Sequence, residues 1–367
     1  MGTARIISLK FRFFTFACIA LLLWSYRYHP EQARLHFLPV AGEPFHLISF
    51  TEYLLTEALL HFRIPMLFGI AGYICAMQRQ ATVTDGISRK VKSLLIPYLV
   101  WSAAGLALGL AWHYLPATDT VLAEYQVNPA MRGLVIHETG WMHVLYRWLF
   151  DPAAFQVWLL LALFIFNWIQ PFIQWSLKSN AAVWFLMVLL LWLFGTNFLV
   201  VDARGLFYFS LGIWLYQSNI SLEKAPSWYR PAVVWSLFFL ISLLKTYMAF
   251  QSDLHPALYR LASVLHEAAV LGIIPAIWFG SDTLVRTAMR QHWFVWAASF
   301  SFFIFGLHAP LMLYIHQLLE GLFADQPMAE IGNFLLTPVL VLACCLLVGA
   351  CIRKWLPGVY KLSVGAG

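Results

Sequence analysis

The sequence predicts an all-α polytopic membrane protein, formed as a single membrane-embedded domain over residues 1–367. It is expected to cross the bilayer about ten times, with both termini in the cytoplasm. Composition is the first indication, because 61% of the residues are hydrophobic and only 11% are charged, against roughly a quarter charged in soluble domains. The second is a succession of long apolar runs, and the third is the distribution of basic residues between them.

The apolar runs define the predicted membrane-spanning helices, since a helix needs roughly 20 residues to cross the hydrocarbon core. The sixth run is short and follows the fifth through the turn VVDARG, so this pair is the least regular part of the map. The predicted spans are 8–26, 58–77, 94–113, 155–175, 181–201, 205–218, 231–250, 261–280, 293–317 and 332–352.

The first span resembles a signal sequence, because Arg5, Lys10 and Arg12 precede its apolar run. No small-residue cleavage site follows that run, so we expect an uncleaved first span. With the N-terminus in the cytoplasm, 15 of the 23 lysines and arginines lie in cytoplasmic segments, together with only three acids. This is the positive-inside pattern, and a wrong number of spans would have scrambled it.

The second span carries ionisable side chains, which are costly in lipid and usually face a cavity or a partner. Glu57 and His61 are four residues apart and are expected to share a helix face, and Arg63 points elsewhere. Pro65 is expected to kink the helix nearby. One interpretation is a salt-bridged helix end at the interface, and the other is a water-accessible polar cavity on the outer side.

Two further histidines lie in apolar helices. His308 in the ninth span either bonds a backbone carbonyl on a neighbouring helix or takes part in chemistry. His266 and Glu267 are neighbours near the outer end of the eighth span, and adjacent helical residues point in different directions. We therefore do not expect a simple His266–Glu267 dyad.

The loop after the second span is strongly basic, with Arg89, Lys90 and Lys92 close together. These charges either set the topology or attract an anionic ligand such as a phosphorylated cofactor. Nucleic acid is not an expected partner, because the basic residues occur in short clusters between apolar runs. The sequence has no P-loop, dinucleotide fingerprint, GxSxG or HExxH motif, and no metal is expected.

Three segments match motifs of a known family in order and spacing. HFRIPMLFGIAGY resembles "fRmPlFFfiSGy", RKVKSLLIPYLVW resembles "kRlrrLliPYlvW", and ASFSFFIFGLHAPL resembles "gr.Sf.iYllHqPl". These are motifs of the acyltransferase type 3 family of membrane proteins. The family includes O-acetylases of surface polysaccharides and succinylating enzymes of periplasmic glucans, and the resemblance covers essentially the whole chain.

The first span departs from the family pattern. The family usually places a histidine there, about a dozen residues after a basic residue, and favours it as the catalytic group. Our best alignment puts Trp24 at that position, and His29 lies five residues further on. Three explanations are open: the alignment is shifted, His29 or another histidine substitutes, or the usual chemistry is lost.

The resemblance implies a multi-pass protein of a bacterial inner membrane, in contact with membrane lipid. It implies acyl transfer from a cytoplasmic acyl-CoA, either acetyl-CoA or succinyl-CoA, to a hydroxyl of an extracytoplasmic glycan or lipid-linked sugar. The candidate bases are His61, His308 and His29, with Arg63 as oxyanion donor or orienting group. The candidate donor-binding residues are Arg89, Lys90, Lys92 and Arg12.

Two other functions remain open from the sequence. A transporter or flippase of a small anion or lipid-linked sugar also combines about ten spans with broken helices and charges near the midplane. A non-catalytic relative that binds a glycan or a partner is the other alternative, and Trp24 favours it.

Overall fold

The computed structural model is entirely helical in its regular secondary structure over the residues that it describes. This confirms the predicted all-α class. The described residues are 3–25, 40, 46–78, 83–114, 136–150, 152, 154–193, 202–227, 229–251, 256–323 and 329–365.

Sixteen α-helices are described, together with π-helical segments at Leu54–Leu59 and Val91–Leu95 and short 3-10 turns at Leu23–Ser25 and Phe155–Val157. The α-helices are α1 (Thr3–Leu22), α2 (Leu47–Tyr53), α3 (Arg63–Met77), α4 (Val83–Lys90), α5 (Ile96–Tyr114), α6 (Ile136–Leu149), α7 (Trp158–Trp168), α8 (Gln170–Leu193), α9 (Ala203–Gln217), α10 (Pro231–Ala249), α11 (Pro256–Gly280), α12 (Asp282–Ala288), α13 (His292–Ala298), α14 (Ser301–Phe323), α15 (Ala329–Trp355) and α16 (Pro357–Val364).

Within the described part of the chain, six helical stretches are long and apolar enough to cross a membrane, or seven if α13 and the start of α14 form one broken span. Each of the ten predicted spans overlaps a described helix. The exact number of crossings and the cytoplasmic termini stay predictions. The six stretches are Leu47–Met77, Ser88–Leu108, Gln170–Trp192, Pro231–Ala249, Leu258–Gly280 and Ile331–Trp355.

The boundary between the predicted fourth and fifth spans coincides with a break inside α8. Asn180 has extended backbone angles, φ −160° and ψ 98°, between two helical halves. Its side-chain oxygen accepts a hydrogen bond from the Val183 N–H at 3.1 Å, as a cap does at a helix start. The second half of α8 therefore begins where the sequence predicts the fifth span.

The packing of the helices divides the chain into two compact units, and the prediction of a single domain stays a prediction. The first unit comprises Met1–Arg79 and Ile169–Ser301, and the second comprises Gln80–Trp168 and Phe302–Gly367.

Small residues set the contact between α3 and α9 in the first unit. A Cβ atom at Gly72 would overlap the Phe209 backbone carbonyl, and one at Gly212 would overlap the Gly69 carbonyl. Glycine at both positions lets the two helix backbones approach closely, as small residues do in membrane helix pairs.

A buried lysine ties α1 to α11 and α12 in the same unit. Lys10 is 1% exposed, its Nζ donates to the Trp278 carbonyl oxygen at 2.7 Å, and it lies 2.5 Å from an Asp282 carboxylate oxygen. The ammonium also lies 5.0 Å from the centroid of a Trp278 ring. A carboxylate, a carbonyl and an aromatic face thus compensate the buried charge.

In the second unit, α5 contacts the C-terminal helix α16. The Trp101 indole N–H donates to the Ser363 carbonyl oxygen at 2.8 Å, and its ring packs on Phe303 with 5.1 Å between centroids. Gly306 lies against the same indole, where a Cβ atom would overlap the ring. The motif segments around Trp101 and Gly306 therefore pack on each other in this unit.

Candidate functional site

The segment that carries Glu57 and His61 is an irregular stretch of the second predicted span. The helix α2 continues into the π-helix Leu54–Leu59, breaks at residues 60–62, and resumes as α3 at Arg63. Pro65 lies in the first turn of α3, where its missing N–H would have no intrahelical partner. The break therefore precedes the proline instead of occurring at it.

The Glu57 and His61 side chains meet, as their spacing predicts. Nδ1 of His61 lies 3.4 Å from Oε2 of Glu57, and both side chains are buried. Nε2 of His61 is buried and has no hydrogen-bond partner among the residues that the structure describes. A carboxylate on one ring nitrogen favours the tautomer that leaves a lone pair on the other, which is the arrangement of an oriented base.

A lysine and a second histidine complete this cluster from two other helices. Lys245 in α10 donates to the Glu57 backbone oxygen at 2.6 Å, and its Nζ lies 2.5 Å from Nδ1 of His266 in α11. The His266 ring packs edge-to-face on the His61 ring, with centroids 4.2 Å apart. The four residues Glu57, His61, Lys245 and His266 are called the His61 cluster below.

Arg63 lies beside this cluster and is anchored by backbone carbonyls. Its guanidinium donates to the carbonyl oxygens of Leu21 at 2.5 Å and of Thr56 at 3.0 Å. It interacts electrostatically with both Glu57 and His61. Arg63 thus joins the end of α1 to the π-helical segment and adds positive charge next to the candidate base.

His266 and Glu267 face different partners, as their adjacency in a helix predicts. Glu267 accepts a hydrogen bond from Nε of Arg204 at 2.7 Å, whereas His266 contacts Lys245 and His61. Arg204 lies in the first turn of α9, where Asp202 caps the helix by accepting from the Arg204 N–H at 2.8 Å. A second polar group therefore lies on the other side of α11.

His308 belongs to the second unit and is fully buried there. Its Nδ1 lies 3.0 Å from the Ile304 carbonyl oxygen and 2.9 Å from the Phe305 carbonyl oxygen, both in its own helix α14. One interpretation of this histidine placed its carbonyl partner on a neighbouring helix, whereas these two carbonyls lie one turn earlier in the same helix.

The candidate donor-binding residues lie on described helices of both units. Arg89 and Lys92 are exposed, whereas Lys90 is half-buried and donates to the Asn167 carbonyl oxygen at 3.0 Å. Arg12 is exposed on α1 in the first unit. Lys90 is thus bonded to the protein backbone, whereas the exposed Arg89 and Lys92 can be reached by an anionic ligand from water.

The departure in the first span lies close to the His61 cluster. Trp24 occupies the 3-10 turn Leu23–Ser25, and this turn contacts the π-helix Leu54–Leu59. His29 lies outside the described residues, so its role stays a prediction. Among the described residues of the first unit, the buried histidines are His61 and His266.

Sequence reasoning missed Lys245. It is a lysine in the apolar run of α10, and such a residue in a membrane span usually marks a functional or paired position. That signal was available in the sequence. Its partners were not, because the Glu57 contact joins residues that are 188 positions apart.

Comparison with known proteins supports the motif resemblance. The family model for an acyltransferase domain, that of the acyltransferase type 3 family, matches residues 34–353. No curated protein and no solved structure gives a significant match to the chain. Because the matched region covers most of the chain, we conclude that this protein belongs to the acyltransferase type 3 family of membrane acyltransferases.

Proposed function

We propose that the protein is an integral membrane O-acyltransferase of a bacterial inner membrane. It moves an acetyl or succinyl group from a cytoplasmic acyl-CoA to a hydroxyl of an extracytoplasmic glycan or lipid-linked sugar. Family membership supports the general reaction, and the donor and acceptor are carried over from the resemblance of the motifs.

The observation that carries this proposal is the state of the His61 side chain. Its Nδ1 lies 3.4 Å from the Glu57 carboxylate, and its buried Nε2 has no partner within the described structure. Burying a polar nitrogen without a hydrogen bond costs roughly 1–3 kcal/mol, so a native protein needs a reason to retain one. A base that awaits the proton of a substrate hydroxyl is such a reason.

The reaction can be written on this geometry. The acceptor hydroxyl oxygen attacks the thioester carbonyl carbon while Nε2 of His61 takes the hydroxyl proton. The C–S bond then breaks, the ester remains on the acceptor, and the imidazolium returns the proton to the leaving CoA thiolate. Glu57 holds the ring and stabilises the imidazolium, and Arg63 provides positive charge for the developing oxyanion.

The donor site is proposed at the basic segment of the second unit that carries Arg89, Lys90 and Lys92. Arg12 of the first unit is proposed as a separate donor-binding candidate. CoA is an anionic cofactor with several phosphate charges, and exposed cationic side chains attract such ligands. The exposure of Arg89, Lys92 and Arg12 supports this assignment.

Mass spectrometry of envelope glycans tests the proposal. Cells with the wild-type protein are compared with cells that lack it and with cells that carry His61→Ala, Arg63→Ala or His308→Ala at equal membrane levels. We expect an acetyl or succinyl mass to be lost in the deletion strain and in His61→Ala. Retention of the acyl group in all three variants would refute the assignment, and vesicle uptake of a solute without a covalent product would favour a transporter.

A non-catalytic relative is the second candidate, because Trp24 stands where the family usually has a histidine. Binding of labelled acyl-CoA to the purified protein distinguishes the two. Under the enzyme proposal the protein binds the donor and transfers the acyl group, whereas a non-catalytic relative transfers none.

A further inference from the structure

Lys245 is the least expected charge in the first unit. It lies in α10 between apolar residues and is 1% exposed. A lysine removed from water is costly unless its ammonium is paired or hydrogen-bonded. The partners of Lys245 therefore indicate what the protein uses this charge for.

Both hydrogen-bond partners of Lys245 belong to the His61 cluster. Its Nζ is 2.6 Å from the Glu57 backbone oxygen and 2.5 Å from Nδ1 of His266. One contact holds the π-helical turn that carries the Glu57 carboxylate, and the other holds the ring that packs on His61. The Lys245 ammonium thus holds both the turn that carries Glu57 and the His266 ring, and both of these contact the candidate base, His61.

The donor inventory of lysine determines the protonation pattern of its partner. An ammonium has three donors and no acceptor, so the nitrogen of His266 that faces it must accept. An imidazole whose Nδ1 accepts carries its proton on Nε2.

We infer that Lys245 is a positioning residue for the base, which holds His266 in the Nε2-protonated tautomer and orients its ring against His61. The consequences for catalysis rest on the function proposed above. The contact between Lys245 and His266 does not depend on that function, and nitrogen NMR tests it without an activity assay.

The other deeply buried lysine of this unit, Lys10, provides a structural contrast. Lys10 also donates to a carbonyl of α11, but an Asp282 carboxylate oxygen lies 2.5 Å from its Nζ. Within the described residues, Lys245 has no carboxylate oxygen at ion-pair distance, although Glu57 and Glu267 act on it electrostatically. Its ammonium is directed at an imidazole, which a purely structural ion pair does not require.

Kinetics of matched variants test the catalytic part. Lys245→Met keeps the length of the side chain and removes the donors, and Lys245→Arg keeps donors. Lys10→Met is the matched control: it removes a buried lysine of α1 whose partner on α11, Trp278, lies about three helical turns from His266. We expect Lys245→Met to lower kcat roughly 10- to 100-fold with KM for acyl-CoA within about twofold of wild type, because the base is misplaced and the donor site is intact. Lys245→Arg should recover part of kcat.

Equal losses of kcat per folded molecule in Lys245→Met and Lys10→Met would overturn the inference, because they would indicate a general structural role. The same holds if Lys245→Met changes only the amount of folded protein. Folded protein is quantified by size-exclusion chromatography in detergent before each assay.

Nitrogen NMR of ¹⁵N-histidine-labelled protein tests the arrangement without any activity. The His266 resonances are assigned by their loss in His266→Gln. We expect wild-type His266 to show a non-protonated Nδ1 and a protonated Nε2, and this pattern to be lost in Lys245→Met and kept in Lys10→Met. A protonated Nδ1 in the wild type, or an unchanged His266 spectrum in Lys245→Met, would refute the inference even if acyl transfer is demonstrated.

Discussion

At the scale of single residues, the proposed function depends on the contacts that hold the His61 ring. Nδ1 of its ring lies 3.4 Å from the Glu57 carboxylate, and the His61 and His266 rings pack edge-to-face. The hydrocarbon core of a bilayer contains no water that could form a hydrogen bond with the other ring nitrogen, Nε2. A partner for Nε2 must therefore come from a polar cavity or from a substrate. The contacts with Glu57 and His266 therefore orient the His61 ring before a substrate binds, as a general base requires.

Substitution of Glu57 by Gln tests this support. The amide retains the size of the side chain but removes the negative charge that stabilises an imidazolium and selects the tautomer of His61. We expect kcat to fall by about 100-fold with little change in KM for acyl-CoA, as measured with labelled donor in membrane vesicles.

Glu267→Gln is the matched control, because Glu267 is a membrane carboxylate whose hydrogen bond goes to Arg204 instead of to His61. We expect its kcat to stay within about threefold of wild type. If Glu57→Gln behaves like Glu267→Gln, then the carboxylate beside His61 has no part in the reaction.

At the scale of elements, the π-helix Leu54–Leu59 and the break at residues 60–62 place Glu57, His61 and Arg63 together. π-helical turns are rare in proteins overall, and those that occur are often at functional sites. The four-residue spacing of Glu57 and His61 was enough to predict their contact. Pro65 predicted a kink nearby but not the exact break at residues 60–62, because a proline in the first turn of a helix interrupts no hydrogen bond of that helix.

The tertiary partners of these residues were beyond the sequence for a physical reason. Periodicity identifies the faces of a helix but does not say which helix a face will meet. Lys245 and His266 lie 21 positions apart on α10 and α11, and Lys245 is 188 positions from Glu57 in the π-helical segment. The apolar runs and the charges between them, by contrast, can be read directly from the sequence without knowing which helices meet. Each span predicted in this way overlaps a helix.

The contact between α3 and α9 gives a prediction about stability. Gly72→Ala or Gly212→Ala introduces a methyl group that overlaps a backbone carbonyl, so the two helices must separate. We expect either change to destabilise the fold by about 1–3 kcal/mol, observed as a lower thermal midpoint in detergent.

Gly272 in α11 provides the control, since a Cβ atom there has no described neighbour within 4 Å. Gly272→Ala should therefore leave the stability within about 0.5 kcal/mol of wild type. Equal midpoints for all three variants would contradict close packing of α3 on α9.

At the scale of the whole molecule, charge distribution predicts the orientation in the membrane. The ion pair between Lys10 and Asp282 joins two segments that the positive-inside pattern both assigns to the cytoplasm. Positive charge on the cytoplasmic side also suits a donor that carries phosphates. The predicted orientation therefore places most basic residues on the side of the membrane from which the proposed acyl-CoA would bind.

Reporter fusions test the orientation. A green fluorescent protein fused after Gly367 should fluoresce, and alkaline phosphatase at the same point should be inactive, because both predicted termini are cytoplasmic. Phosphatase fused after Trp141, between the predicted third and fourth spans, should be active. An active phosphatase after Gly367 would show that the number of crossings is odd if the N-terminus is cytoplasmic.

The most direct measurement of the central claim is transfer of a radiolabelled acyl group in membranes that contain the wild-type protein, His61→Ala or Lys10→Met at equal levels. We expect label from acyl-CoA to appear in extractable glycan or lipid-linked sugar with the wild type and, at a comparable level, with Lys10→Met, but not with His61→Ala. Equal transfer by His61→Ala and wild type would contradict the assignment of the His61 cluster as the reaction site.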